Sequence, residues 1–172
     1  MGGFGAAQTK IKVEMKQEKA VLSAGCFWGV EAKLQQLQGV ISTRVGYTGG
    51  NLSHPTYEDV CTDQTGHAEA VEVLFDPEKI SYDKILEYFW EIHDPTTMNR
   101  QGPDKGTQYR SAIFYQNSEQ KKIAEQLKER LIRSGKYQKP IVTEIVPARE
   151  FYPAEEYHQK YYGKHPNLHC GI

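Results

Sequence analysis

A two-layer α/β sandwich on a mixed sheet is the fold class the sequence predicts, and three observations predict it. Short apolar runs of strand length alternate with segments of helical period from Lys19 onward. The chain of 172 residues is about one domain in size. No internal repeat or low-complexity linker divides it. Residues 1–18 are Gly-rich and then polar, without the apolar stretch of a signal peptide, and read as a loose tail; residues 19–172 read as a single domain.

The elements follow in order. Ala20 to Ala24 reads as a strand leading into a helix from Phe27 to Gln38, where Phe27, Val30, Leu34 and Leu37 share one face and Gly39 ends it. Val40 to Tyr47 is a second strand, closed by the turn signal Gly49-Gly50. His67 to Phe75 is a third, broken by Asp76-Pro77, after which Ser81 caps a helix with Ile85, Leu86, Phe89 and Ile92 turned inward. Arg110 to Tyr115 is a fourth strand, and Ser118 caps a helix that carries Ile123, Leu127 and Leu131 and stops at Gly135. Ile141 to Val146 reads as a fifth strand, followed by an irregular aromatic C-terminal tail. The order is βαββαβαβ, interrupted by two long irregular stretches, Gly49 to Gly66 and Asp94 to Tyr109, of the kind that usually carries function.

Composition excludes several classes. With 21 basic and 22 acidic residues the net charge is −1, so neither nucleic acid nor an anionic membrane surface is a general partner. No apolar run approaches the ~18 residues of a membrane span. The three cysteines, Cys26, Cys61 and Cys170, are too few and too scattered for a disulfide scaffold or a CxxC zinc site, which points to a reducing, cytoplasmic setting. The glycines form neither GxGxxG nor a P-loop, so no nucleotide cofactor is expected.

Cys26, in Gly25-Cys26-Phe27-Trp28-Gly29, falls where a strand meets a helix N-terminus, a position that favours the thiolate. An ordinary thiol of pKa ~8.5 is only about 3% ionised at pH 7, and lowering it to ~7 makes half of it nucleophilic. At about 100° per residue, the stripe of Val30, Leu34 and Leu37 is centred about 150° from Trp28, which sends this ring away from the sheet as a pocket wall. Period-two alternation puts Glu69 on the same face as Val71, Val73 and Phe75. On pattern alone a solvated strand-end glutamate is the commoner outcome. Desolvated at the edge of an apolar face, the same group becomes a general acid.

Cys170 near the chain end can swing to an oxidised cysteine, or join His165 and His169 as a metal ligand. Cys61 reads as a packed structural thiol, and His93-Asp94 as a helix C-terminal cation rather than a catalytic pair.

Three ordered motifs, Gly25-Cys26-Phe27-Trp28-Gly29, Gly66-His67-Ala68-Glu69-Ala70-Val71 and Gly106-Thr107-Gln108-Tyr109-Arg110-Ser111, resemble those of the methionine sulfoxide reductase A family. His93-Asp94-Pro95-Thr96-Thr97 and Pro55-Thr56-Tyr57 look like its connecting segments, and the resemblance runs from Ala20 to Ile172. It implies a ferredoxin-like plait and a monomeric enzyme without metal or cofactor. By the same resemblance Cys26 attacks the sulfoxide sulfur, Phe27 and Trp28 hold the S-methyl group, and Glu69 protonates the oxygen. Tyr57 and Tyr109 would hydrogen-bond that oxygen, with Asp104 ordering the site. A sulfenic acid on Cys26 would then be resolved by Cys170 as a disulfide and reduced by thioredoxin, the substrates being oxidised proteins, peptides and free methionine sulfoxide. Two other readings compete with it: a cysteine hydrolase using Cys26 with a histidine, and a metal-binding module at His165, His169 and Cys170.

Overall fold

The structure is a computed structural model that describes residues 16–168. Strand β1 (Glu18–Ala24) enters the middle of a six-stranded sheet and is buried from Ala20 onward. Helix α1 (Phe27–Leu34) follows, then β2 (Val40–Thr48), a short helix α2 (Tyr57–Cys61), β3 (Ala68–Phe75) and α3 (Tyr82–Glu91). A hairpin of β4 (Arg100–Gln101) and β5 (Asp104–Lys105) precedes β6 (Ser111–Tyr115), α4 (Ser118–Ser134) and β7 (Glu144–Pro147). The chain ends with β8 (Tyr152–Pro153) and a one-turn helix α5 (Tyr161–Lys164).

The sheet order is β7-β6-β1-β3-β2-β8, and only the β6–β7 pair is parallel. Its four central strands with α1 and α3 as crossovers form the βαββαβ plait that the sequence predicts. One face carries Leu22, Val45, Tyr47, Val71, Val73, Phe75 and Ile113 into a core closed by Phe27 and Leu34 of α1, Ile85, Leu86 and Phe89 of α3, and Ala124 and Leu127 of α4. Each large side chain fully buried there contributes ~2 kcal/mol. The other face has a smaller cluster of Val21, Ala68, Ala70, Ala112 and Phe114 under Val146 and Phe151.

Several boundaries differ from expectation for local reasons. Helix α1 stops at Leu34, and tight turns from Gln36 to Lys33 and from Leu37 to Leu34 replace its expected last turn before Gly39. Asn117, not Ser118, caps α4, its side chain accepting from the Gln120 N–H at 2.9 Å. Gly135 ends α4 in the left-handed conformation as predicted. The fifth predicted strand is confined to Glu144–Pro147. The two long stretches hold structure that periodicity does not show: α2 with a reciprocal Thr56–Asp59 capping box, and the β4–β5 hairpin, whose Gly102 has the positive φ that a type II′ turn requires.

The tail is the largest difference. It forms no long element, yet it seals the outer edge of β2. Ala154 N–H donates to the Val45 carbonyl at 2.9 Å, and the Gln159 side-chain amide bonds both the Val45 N–H and its carbonyl at 2.9 Å. Lys160, left-handed at φ 54°, donates its backbone N–H to the buried Glu31 carboxylate at 2.7 Å, its ammonium to the same group at 3.1 Å, and to the Thr43 carbonyl. None of the described helices is long and apolar enough to cross a membrane.

Candidate active site

The site is built where β1 turns into α1. Gly25 takes φ +103°, and a Cβ there would meet the Cβ and Cγ of Gln101 at 2.8 Å, so only glycine lets the β4–β5 hairpin close over this junction. Gln101 is itself fixed by two amide bonds to the backbone of Asp94, at 2.9 and 2.8 Å. Cys26 then occupies the N-cap position of α1, half-buried, with no side-chain capping bond. The amide at the first position of the helix, Phe27 N–H, which has no partner within the helix, donates instead to Glu69 Oε1 at 3.2 Å. One carboxyl therefore serves the helix end that carries the thiol.

Glu69 is 2% exposed, which settles the choice between a solvated and a desolvated glutamate. Burial pushes its pKa up to about 8, against the opposing pull of the Phe27 N–H, with the nearby Asp104 charge adding to the rise. About nine in ten such groups carry a proton at pH 7. It sits on β3 opposite Tyr47 of β2 and shares the helical face with Val71, Val73 and Phe75, as alternation predicts.

The phenols surround it. Burial raises the pKa of Tyr109, and the charges of Glu69, Asp104, Cys26 and Cys61 add to it, so the expected site residues converge on this ring. Tyr57 is raised by burial, by a hydrogen bond with the Cys61 thiol and by the charges of Cys61 and Glu69. Both tyrosines thus remain O–H donors. Asp104, half-buried on β5, acts on Glu69 and Tyr109 by charge.

Phe27 is buried at the centre of the core edge, 5.7 Å from the Tyr47 ring and 5.1 Å from His158. Trp28 turns away from the sheet, as the stripe argument requires, and the tail receives it. Tyr161 stacks on its indole at 3.7 Å and 5°, and Trp28 Nε1–H donates to His158 Nδ1 at 2.9 Å. Glu155 holds the other side together, accepting from Tyr47 Oη at 3.0 Å and from Tyr57 N–H at 3.1 Å. Sequence reasoning misses Glu155, His158 and Tyr161 because the tail has no periodicity. Its density of aromatic residues, Tyr152, Tyr157, Tyr161 and Tyr162 around His158, is the one signal that marks it.

Three expectations need correction or lie outside view. Cys61 is exposed rather than packed, because α2 turns its last residue to solvent. His93 is not a helix-end cation: it is 8% exposed, and burial drives its pKa down to about 4. Neutral, it donates Nδ1–H to the Phe89 carbonyl at 2.6 Å and accepts the Ser111 hydroxyl at Nε2 at 2.7 Å. His67 of the second motif is also structural, with Nδ1 accepting Gly50 N–H at 3.0 Å and Nε2–H donating to the Leu52 carbonyl at 2.7 Å. Cys170 and His169 lie outside the described residues, and no group of metal-ligating side chains occurs among the described ones.

On this plait, a cysteine at a helix N-terminus beside a carboxyl that keeps its proton and two phenolic donors is the equipment of a thiol-based oxidoreductase that returns a proton to oxygen. Comparison with known proteins narrows the class. The chain belongs to the peptide methionine sulfoxide reductase family, whose sequence model matches residues 18–172. It is 58% identical over 155 residues to the peptide methionine sulfoxide reductase MsrA of Methanothermobacter thermautotrophicus, covering 90% of this chain and 92% of that one. The crystal structure of reduced Mxr1 from Saccharomyces cerevisiae matches with TM-score 0.85 at 37% identity, over 90% of this chain and 89% of that chain. Mxr1 in complex with Trx2 matches with TM-score 0.60 at 26% identity, over 90% and 91%. Membership in this family displaces the hydrolase reading.

Proposed function

We propose that this chain reduces the S epimer of methionine sulfoxide, free or in oxidised proteins and peptides, by a thiol cycle recycled by thioredoxin. The observation that carries the reading is the Glu69 carboxyl, buried, with its pKa pushed up by that burial, and bonded to the first amide of the helix that Cys26 caps. The Cys26 thiolate attacks the sulfoxide sulfur while the Glu69 proton goes to the oxygen, with Tyr57 and Tyr109 as further donors to it. Without those donors the developing oxyanion would stand in an apolar pocket, at a cost of several kcal/mol. Phe27 and Trp28 enclose the methyl group. Sulfur–oxygen cleavage lets that oxygen leave as water from the Cys26–sulfur adduct; a water then attacks Cys26 Sγ, the sulfur–sulfur bond breaks, methionine departs and a sulfenic acid remains on Cys26. Cys170 then attacks that sulfur, water leaves, and the Cys26–Cys170 disulfide is reduced by the dithiol of thioredoxin. In sum, one sulfoxide and two thiols give methionine, a disulfide and water. A reductant of this kind suits a cytoplasmic setting.

The test uses reduced protein and separated epimers. Turnover with thioredoxin is expected for the S form and not the R form. Cys170→Ser should release about one methionine per protein, and Cys26→Ser none. Repeated turnover by Cys26→Ser would remove the nucleophile from the scheme.

A further inference from the structure

We infer that His158 is a positioning residue that locks the Trp28 indole, and through it sets the enzyme's preference for S-methyl over larger S-alkyl sulfoxides. The inference rests on the assignment of Trp28 as a wall of the methyl pocket. His158 is 0% exposed, enclosed by Phe27 at 5.1 Å, Tyr57 at 4.6 Å, Trp28 at 5.6 Å and Tyr157 at 4.0 Å, centroid to centroid. The one hydrogen bond its ring makes among the described residues is the 2.9 Å acceptance of Trp28 Nε1–H at Nδ1. That bond dictates the tautomer. Nδ1 must be bare to accept, so the ring proton stays on Nε2, which has no partner among the described residues. A buried N–H left without a partner is destabilising. A ring held only for its volume would be better served by phenylalanine, which fills the same space and buries no polar atom. Histidine at this position therefore has a task that needs the acceptor, and that task is the indole.

The geometry of Trp28 shows what is set. Tyr161 covers one face of the indole, stacked within 5° of parallel, and His158 fixes its N–H edge. A face contact alone lets the ring slide in its own plane. An edge contact alone lets it tilt. With both, the opposite face stands at a defined distance from Cys26, two residues earlier in the chain. A rigid wall can count carbons: one additional methylene in a well-fitted apolar pocket changes kcat/KM by roughly 10-fold or more. If the wall slides, that discrimination goes first, while the attack of Cys26 and proton donation by Glu69 continue.

Two substitutions separate the acceptor from the ring. His158→Phe keeps the ring and deletes the acceptor; His158→Asn loses the ring but places an amide oxygen where Nδ1 stood. The measurement is the ratio of kcat/KM for methionine sulfoxide to that for ethionine sulfoxide, in protein reduced by dithiothreitol. In His158→Phe the ratio should fall about 5-fold or more, through KM for the methyl substrate rather than kcat, and Asn should restore most of it. A ratio unchanged in Phe, or lost in both variants, overturns the inference, and so does loss in Asn alone, which a packing role predicts. Nitrogen NMR of the wild-type ring keeps the test independent of folding of the variants: protonated Nε2 with bare Nδ1 is required, and the opposite tautomer refutes the lock. Absence of any sulfoxide turnover in the wild type would instead defeat the functional reading itself.

Discussion

Glu69 stores a cost that its neighbours do not remove. Its pKa rises from 4.5 to about 8 on folding, so between those values the native state binds more protons than the unfolded chain. Stability must therefore fall as pH rises from about 4.5 through about 8, by a few kcal/mol in all. Glu69→Gln keeps an oxygen for the Phe27 N–H and has no charge to bury. Thermal melts across this range should show the variant gaining on the wild type as pH increases, while single-turnover reduction falls at least 100-fold. An unchanged pH slope would mean that Glu69 is solvated. In the wild type the same proton should give the reaction an alkaline limb near pH 8. The face that Glu69 occupies is legible in the sequence, because alternation with Val71 and Val73 reports parity. Its burial is not, because what covers it comes from α1, from the loop after β2 and from β5 and the turn that follows it, far away in the chain.

At the scale of elements, the tail acts as a strap tied by side chains. Glu31 is 1% exposed and accepts Thr43 Oγ1 at 2.9 Å, Lys160 N–H at 2.7 Å and the Lys160 ammonium at 3.1 Å. The Lys160 side chain is 46% exposed, so solvent screens much of its part. Glu31→Ala removes the shared acceptor and leaves the Lys160 N–H and the Thr43 hydroxyl short of a partner. A loss of about 2–3 kcal/mol is expected, with limited proteolysis moving into the segment after Pro153 before the sheet opens. Resistance of that segment in the variant would show that Glu31 does not hold it. Helices α1, α3 and α4 are readable beforehand because each carries an apolar stripe. The strap is not, because its order comes from single polar contacts across more than 100 positions of sequence, such as Gln159 to Val45, which leave no period behind.

For the whole molecule, the order of motifs along the chain becomes a convergence in space: the sheet's ends bring Cys26, Glu69, Tyr109 and the strap to one corner. Cys170 follows His165 by five positions, and His165 stacks on Tyr161 at 4.2 Å, which stacks on Trp28. In the proposed cycle, closing a Cys26–Cys170 disulfide draws on this column of rings. Hydrogen exchange should therefore quicken in residues 154–165 on oxidation, while β1 and β3 keep their protection. Equal exchange in both redox states would uncouple the strap from the cycle.

The sealed edge of β2 has a further consequence. Under the proposed function the clients include oxidised protein chains, and an open sheet margin beside the site would offer their extended backbone a strand to join. Here the Gln159 amide impersonates a peptide group opposite Val45, and Lys160 occupies the Thr43 carbonyl. A visiting chain finds that margin already taken, which under the proposed function leaves the oxidised side chain itself as the feature by which a client is held.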